Sequence, residues 1–255
     1  MMKSYDWVYV LGVVMVMSIS VVWGVRYPVA TPKPPQPFTP FVTVYPCDSD
    51  PINWPNATHV SNFRLVDNSS LAVQQTDVSM CYDETYLNVK ADCFDNNIQS
   101  PYSQCNQDLF NADVFEIFLA YGPEVPTKYL EIELSPYGVL FVSKVANTDD
   151  FCTGVTDSLI ECGASGIVYN ATIQDNEWVG ILQIPLSLIQ ETSNLAEPQP
   201  SPQLPLYRIN MYRIDIPASQ EKEYSCWNPT DTSPPCFHKP SMFGTVQFGS
   251  NNYDL

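Results

Sequence analysis

Short runs in which apolar and polar residues alternate recur along most of this chain, with turn-forming residues between them. A period of two is typical of β-strands, whose successive side chains point to opposite faces of a sheet. Helical periodicity is nearly absent, and the exception is a single turn at 186–190, after Pro185. The pattern predicts strands at 71–82, 86–94, 114–121, 129–134, 139–145, 166–173, 177–184, 206–216 and 245–248.

Short strands separated by turns, together with 23 prolines and ten glycines, favour an antiparallel architecture. The 255 residues are enough for one large β domain or two small ones, and no internal repeat suggests a duplication. The sequence therefore predicts an all-β fold, a disulfide-linked antiparallel β-sandwich or jelly roll, in one domain at 47–255.

The first 46 residues have a different composition. Residues 7–25 form an uncharged apolar run after Lys3, which is typical of a secretory signal peptide, here residues 1–24. An uncleaved signal-anchor is the alternative, because 19 apolar residues are about enough to cross a bilayer. Residues 25–46 read as a linker or arm, since the seven prolines from 28 to 46 prevent a helix or a central strand. Either way, we expect the domain to be secreted or extracellular.

The formal net charge is −17, with only 11 lysines and arginines. This balance excludes nucleic acid as a partner, because few cations are available to neutralise phosphates. An anionic membrane is equally unsuitable, unless the N-terminal segment is an anchor. No cofactor is expected, although the acidic pairs Asp48 with Asp50 and Asp92 with Asp95 are candidates for a structural calcium ion.

Eight cysteines in an oxidising compartment indicate four disulfides. A metal site is disfavoured, since there is no C-x-x-C pair and the chain has only two histidines. Four bridges allow 105 connectivities. Proximity in the sequence favours Cys93–Cys105, Cys152–Cys162, Cys226–Cys236 and Cys47–Cys81. Three sequons predict glycosylated surface asparagines at Asn56, Asn68 and Asn170.

Alternation also sorts polar residues onto strand faces. In 129–134, Glu131 and Glu133 lie on the side opposite three aliphatic residues, so these acids are expected to face outward. Glu116 lies in an otherwise apolar strand and needs a partner, because an unpaired buried charge costs several kcal/mol. Arg208 or Arg213 is the expected ion-pair partner. The alternative role for Glu116 is to accept hydrogen bonds from sugar hydroxyls.

The segment 223–248, EYSCWNPTDTSPPCFHKPSMFGTVQF, places aromatic residues among prolines, so its rings are restrained. Its W-N-P-T and F-H-x-P-x-x-F-G parts resemble the C-terminal signature of family 9 carbohydrate-binding modules. The stretches DVFEIFLAYG at 113–122 and YLEIELSPYG at 129–138 are similar to two strands of that family, in the same order. The resemblance covers about 47–249 and implies a β-sandwich that binds sugars.

In the sugar-binding members, two tryptophans clamp a sugar ring while a glutamate and an arginine bind its hydroxyls. The resemblance places the clamp positions at Phe110 and Phe237 and the glutamate at Glu116. The arginine position falls near Glu133, which is acidic here, and phenylalanine offers a less electron-rich face than tryptophan. Further candidates for ligand contact are Arg208, Asn210 and Tyr212, which alternate onto one strand face. Trp227 matches a tryptophan that packs in the protein core of family members. Packing in the core and stacking on a sugar therefore both remain possible roles for Trp227.

These observations predict a non-catalytic, secreted protein that binds a polysaccharide or glycan by aromatic stacking and by hydrogen bonds from carboxylate and amide groups. No glycanase-like segment is recognisable, so we expect it to act alone, in a lectin-like or matrix role. The alternative is a structural or protein-interaction module on the same sandwich. The third possibility is a glycoside hydrolase. Glu131 and Glu133 do not favour it, because two side chains in a row on one strand do not lie on either side of a glycosidic bond.

Overall fold

The computed structural model describes residues 39–193, 205–218 and 221–250, in which strands dominate. The segment 1–24, predicted as a signal peptide, and most of the proline-rich arm lie outside these ranges. No helix within the described ranges is long and apolar enough to span a bilayer. The strands are β1 (Phe41–Val44), β2 (Thr58–Val60), β3 (Arg64–Leu65), β4 (Thr76–Tyr82), β5 (Tyr86–Phe94), β6 (Val114–Tyr121), β7 (Lys128–Leu134), β8 (Leu140–Asn147), β9 (Val155–Leu159), β10 (Val168–Gln174), β11 (Glu177–Pro185), β12 (Leu206–Asp215), β13 (Glu223–Cys226) and β14 (Gly244–Phe248).

Two sheets pack face to face, which confirms the predicted all-β sandwich. The larger sheet has nine strands in the order β1-β14-β12-β6-β7-β8-β9, and β13 pairs with the second half of β12 and with β3. The smaller sheet has the order β10-β11-β5-β4-β2. Every strand pair is antiparallel except β1 with β14. Apolar side chains from both sheets fill the space between them, among them Ile117, Ile132 and Trp178.

All nine segments that alternate in the sequence form strands, and the predicted helical turn is α1 (Leu186–Gln190). Five further strands, β1, β2, β3, β9 and β13, were missed; each has only two to five residues, over which a period of two is hard to recognise. Strand β1 lies inside the proline-rich arm and pairs along β14, where Pro40 precedes its first residue.

The disulfide pattern differs from the one that sequence proximity favours. Cys47–Cys81 is present, whereas the other two bridges are Cys105–Cys162 and Cys152–Cys236. The predicted pairs Cys93–Cys105, Cys152–Cys162 and Cys226–Cys236 are wrong, and Cys93 and Cys226 are free and buried. Antiparallel sheets bring together residues that are distant in sequence, so the observed bridges close loops of 34 to 84 residues.

A buried ionic cluster joins the two sheets at one end of β12. The Arg213 guanidinium donates to Asp95 at 2.8 Å and to Asp215 at 2.9 Å, and it lies over the Trp178 ring of the smaller sheet. Asp113 accepts the Ile216 N–H at 2.6 Å beside this group. The cluster corrects the expectation that Arg213 pairs with Glu116, because alternation along β12 turns Arg213 toward the sandwich core.

We expect this cluster to make the protein less stable as the pH rises. One arginine faces three buried carboxylates, and burial raises the pKa of Asp113 to about 6 and that of Asp215 to about 7. Because the folded-state pKa exceeds the unfolded value, the stabilisation is complete below about pH 4 and is lost as the pH rises through 6 to 7. Urea unfolding between pH 4.5 and 8 measures the change.

The control for this prediction is Asp215→Asn, which removes one of the titrating groups while keeping an acceptor for Arg213. Its free energy of unfolding should fall less steeply between pH 4.5 and 7 than that of the wild type. Equal slopes for the two proteins would show that Asp215 is ionised throughout and would contradict the prediction.

Other sequence predictions concern the surface. The side chains of Asn56, Asn68 and Asn170 are exposed, while their glycosylation stays a prediction. The carboxylate of Asp92 pairs with Lys90, whereas Asp95 belongs to the Arg213 cluster. These two acids therefore face separate cations, and the calcium prediction is left with Asp48 and Asp50.

Candidate functional site

The outer face of the larger sheet, which points away from the sandwich core, is covered by residues 227–243, here called the cover segment. Its Phe237 and Phe243 pack on Phe118, Tyr129 and Tyr212 of the sheet. The Tyr212 ring stacks on Phe237 with 4.3 Å between centroids, and the Tyr212 hydroxyl donates to the Phe237 carbonyl at 2.8 Å. The Cys152–Cys236 bridge ties the same segment to the chain beyond β8. The cover is thus held by packing, a hydrogen bond and a covalent link.

Between the sheet and the cover segment lies an open cavity of ≈ 350 Å³, here called the cover cavity. This volume falls in the range of small-ligand sites, about 300–1,000 Å³. Its walls combine aromatic rings with carboxylates. They are formed by Phe110, Asn111, Glu116, Phe118, Glu131, Glu133, Phe141, Cys152, Val155, Asp157, Ile214, Lys222, Tyr224, Pro235, Cys236, Phe237 and His238.

The structure brings four of the eight predicted ligand-contact residues to this cavity: Phe110, Glu116, Glu133 and Phe237. They come from a loop, two adjacent strands and the cover segment, so more than 120 residues separate the first from the last. Phe110 is 45 % exposed, whereas Phe237 is 8 % exposed and presents only part of its ring. The Phe110 ring is therefore accessible at the rim of the cavity, whereas the Phe237 ring is mostly buried by its contacts within the cover segment and with the sheet.

The other four, Arg208, Asn210, Tyr212 and Trp227, do not line the cavity, and three of them hold the cover segment from below. Asn210 donates to the Asn228 carbonyl at 2.9 Å, and Arg208 donates to the carbonyl of Phe243. Arg208 thus does not pair with Glu116. Trp227 packs directly over Gly244, where the Cβ of any other residue would meet the indole ring at 2.5 Å. Trp227 accordingly has the packing role.

Three glutamates meet at the floor of the cover cavity because of strand register. Glu116 of β6 lies directly opposite Glu133 of β7, and Glu131 is two residues before Glu133 on the same face. One carboxylate oxygen from each of the three lies within 4.8 Å of the other two. Alternation placed Glu131 and Glu133 on this face correctly, but the expectation that they reach solvent was wrong, because the cover segment buries both.

The three carboxylates differ in their hydrogen bonds. Glu131 accepts from the Ser143 hydroxyl at 3.2 Å. Both oxygens of Glu133 and Oε1 of Glu116 are buried and reach no partner in standard hydrogen-bond geometry, although the Glu133 carboxyl lies close enough to Glu131 to lower the pKa of that residue in part. The backbone N–H of Phe110 favours the charged form of Glu133. This N–H and the Glu133 oxygens do not, however, reach standard hydrogen-bond geometry. A group of acids left this way is rare, because an unpaired buried acceptor costs about 1–3 kcal/mol.

Burial dominates the protonation of this group. It raises the pKa of Glu131 to about 7, and burial with repulsion from neighbouring glutamates raises the pKa of Glu116 and of Glu133 well above the usual range. Like charges directly opposite on adjacent strands also destabilise a sheet. The floor of the cavity consequently favours either bound protons or a bound cation, and protonated carboxyls can donate hydrogen bonds as well as accept them.

Thirteen lining residues were not among the predicted contacts, and Glu131, Lys222, Tyr224 and His238 are four of them. His238 is fixed by a 2.8 Å contact between its Nδ1 and the Tyr129 hydroxyl. Burial lowers the pKa of His238 to about 4, so its 3.7 Å contact with Glu131 joins a neutral ring to the carboxyl at neutral pH. The sequence signal for Glu131 was its shared face with Glu133. No comparable signal identified Lys222, because its position depends on how β13 approaches the sheet.

A second pocket of ≈ 440 Å³ adjoins the cover cavity. Lys222, Tyr224 and Pro235 line both, and the second pocket extends from them toward Asp67 and Gln74. The two pockets therefore share part of one wall.

Solved structures share this architecture. A proposed carbohydrate-binding protein from Bacteroides uniformis superposes with a TM-score of 0.64 at 14% identity, over 82% of this chain and 99% of its own. A family 9 carbohydrate-binding module from Caldicellulosiruptor kristjanssonii, in complex with glucose, superposes with a TM-score of 0.56 at 12% identity, over 84% and 99%. The fold is that of a family 9 carbohydrate-binding module. This family 9-like fold confirms the resemblance first seen in the strand and C-terminal motifs.

Comparison of sequences is less informative about this protein than comparison of structures. An extracellular protein from Arthroderma benhamiae is 28% identical over 188 residues, which is 68% of this chain and 78% of that protein. No family model matches the chain. A family 9 carbohydrate-binding module from Caldicellulosiruptor kristjanssonii in complex with cellotriose superposes with a TM-score of 0.52 at 13% identity, over 84% of this chain and 97% of that one.

Proposed function

We propose that this protein is a secreted, non-catalytic carbohydrate-binding protein that holds a sugar in the cover cavity. The observation that carries the proposal is the convergence of two phenylalanines and three glutamates on one cavity of a family 9-like fold. Neighbours of that fold were solved with glucose and with cellotriose. Aromatic faces stack on the apolar side of a sugar ring, and carboxyl groups bind its hydroxyls.

Phe110 and the acidic floor have complementary roles in this proposal. The Phe110 ring, accessible at the rim, covers one face of the sugar, while Glu116 contacts its hydroxyls from below. Lys222 donates to the Phe110 carbonyl at 3.3 Å and so positions the loop that carries the ring. The adjoining pocket offers room for further sugar units past Tyr224.

The arrangement of the acids supports binding without catalysis. A glycosidase places its two carboxyl groups on either side of the bond to be cleaved. Here Glu116, Glu131 and Glu133 stand on adjacent strands of one sheet face, so they contact a ligand from the same side.

Incubation of the protein with soluble polysaccharides should release no reducing ends.

The test of sugar binding is Phe110→Ala on a glycan array that includes glucose and cello-oligosaccharides. We expect the wild type to bind at least one glycan class and the variant to bind it about tenfold more weakly. Aromatic contacts contribute about 1 kcal/mol beyond the buried area, and 1.4 kcal/mol is tenfold in affinity. Phe237→Ala is a poorer test, because Phe237 packs on Tyr212 and its loss would also destabilise the cover.

The matched control is Phe94→Ala in the smaller sheet. Phe94 is 43 % exposed, close to the 45 % of Phe110, and it does not line the cover cavity. Its replacement should leave glycan binding unchanged. If no glycan binds the wild type, or if both variants bind as well as the wild type, the cover cavity is not a sugar site and the interaction-module alternative is favoured.

Secretion is the second part of the proposal. Its support is the extracellular relative and three disulfides, which form in oxidising compartments.

A further inference from the structure

The acidic floor of the cover cavity is not balanced by a basic side chain. Glu133 is 0 % exposed with neither oxygen hydrogen-bonded, and Glu116 is 2 % exposed with one oxygen unpaired. Among the residues that line the cavity, Lys222 is the only basic side chain besides His238, and its amino group is directed to the Phe110 carbonyl. No lysine or arginine in the described ranges forms an ion pair with these glutamates.

The Arg213 cluster shows how the same sandwich treats a comparable set of acids. There, three buried aspartates surround a guanidinium that donates to two of them. At the cavity floor, one oxygen from each of three glutamates also lies within 4.8 Å of the others, but no guanidinium is present. The difference lies on the sheet face that lines the cover cavity.

The chemistry of the donors selects the ion. Carboxylate oxygens are the ligands of hard cations, and calcium takes six to eight of them in flexible geometry. Three glutamates supply three to six oxygens, so positions remain for water or for hydroxyl groups of a ligand in the cavity. Magnesium suits this set less well, because it demands near-octahedral geometry and gives up its water reluctantly.

We propose that Glu116, Glu131 and Glu133 bind one calcium ion at the floor of the cover cavity, and that sugar hydroxyls complete its coordination. The sugar half rests on the proposed function, whereas the metal half stands independently. The ion replaces, at the base of the site, the positive charge that an arginine would provide where this chain has Glu133. It lies apart from the acidic pair Asp48 and Asp50 that the sequence alone indicates.

The metal half is tested by calorimetric titration of calcium into chelator-treated protein without sugar. The wild type should bind one ion, with a dissociation constant on the order of 10⁻⁴ to 10⁻³ M, the range of extracellular calcium modules. Glu133→Gln should weaken binding about tenfold, because calcium affinity depends on the number of charged ligands. This variant should fold, since it removes a charge from a group of like charges, and circular dichroism checks that it does.

Two controls locate the site. Glu84→Gln changes an exposed glutamate and should bind calcium as the wild type does. The double variant Asp48→Asn, Asp50→Asn removes the surface pair and should also bind normally. Absence of calcium binding by the wild type, or binding that survives in Glu133→Gln and disappears in the double variant, would overturn the proposal.

The sugar half is tested on the same glycan array, with calcium or with chelator. Loss of the glycan signal in chelator, restored by calcium and not by magnesium, supports coordination of the sugar. A signal that is the same in chelator overturns the sugar half while leaving the proposed function intact. Calcium binding with no glycan signal in either buffer refutes the proposed function and the sugar half together, and leaves the metal site standing.

Discussion

Replacing Arg213 with methionine should lower the free energy of unfolding by about 3–5 kcal/mol at pH 7.5. Removing one partner of a buried ionic group leaves an uncompensated charge, and losses of this size follow. The fully buried guanidinium faces Asp95 and Asp215, with Asp113 beside them, and it links the two sheets. Equilibrium unfolding in urea, followed by tryptophan fluorescence, measures the change.

Acid should partly rescue this variant. Burial raises the pKa of Asp113 to about 6 and of Asp215 to about 7, so both are largely protonated at pH 5 and leave less charge unpaired. The loss should therefore be smaller at pH 5 than at pH 7.5, which keeps the test informative even if the variant does not fold at neutral pH. A triple variant that adds Asp95→Asn and Asp215→Asn should recover stability in the same way.

Arg64→Met is the matched control, because Arg64 also donates two hydrogen bonds but does so to Asn68 at the surface. Its replacement should change the free energy of unfolding by less than about 1 kcal/mol. If Arg213→Met and Arg64→Met cost the same, the buried cluster does not hold the two sheets together.

Removing the Cys152–Cys236 bridge should destabilise the protein by about 4 kcal/mol and abolish ligand binding in the cover cavity. The bridge spans 84 residues, and the loop-closure entropy that it removes from the unfolded chain grows with loop length. Both cysteines line the cavity, and the bridge anchors the segment that carries Phe237 and His238. The double variant Cys152→Ala, Cys236→Ala therefore tests stability and function together.

The control is the double variant Cys47→Ala, Cys81→Ala. This bridge spans 34 residues and lies away from the cover cavity. Its loss should lower stability by a similar amount, smaller by about 1 kcal/mol, while leaving ligand binding by the folded protein unchanged. Equal loss of binding in the two double variants would show that binding depends on global stability and not on the anchored cover.

Peptide mapping under non-reducing conditions checks the pairing itself. It should recover the three bridges of the structure, with Cys93 and Cys226 as thiols. Both thiols should resist alkylation in the native protein and react after denaturation, because burial raises the pKa of Cys93 to about 12 and leaves few reactive thiolates. A Cys226–Cys236 peptide would contradict the structure.

The cover cavity shows which ligand contacts local sequence patterns could predict and which they could not. Phe110, Glu116, Glu133 and Phe237 were singled out from motifs, and the structure places all four around one cavity. Arg208, Asn210 and Tyr212 were singled out from alternation, which correctly gave them one face of β12. That face lies beneath the cover segment, so they hydrogen-bond to the cover or its neighbours instead of lining the cavity. Alternation assigns a face, but it does not say what lies above it.

The strand periods, the turn residues and the motif order were enough to specify a family 9-like sandwich, because hydrophobic alternation and turn chemistry act over a few residues. Three features depended on contacts between distant segments. These are the pairing of Cys152 with Cys236, the grouping of Arg213 with three aspartates, and the burial of Glu131 and Glu133 under the cover segment. Each arises where antiparallel strands and one long loop bring together residues that are far apart in the chain. The type of a residue determines its charge or reactivity. Its interaction partner and its exposure to water are determined only by how the sheets and the cover segment pack.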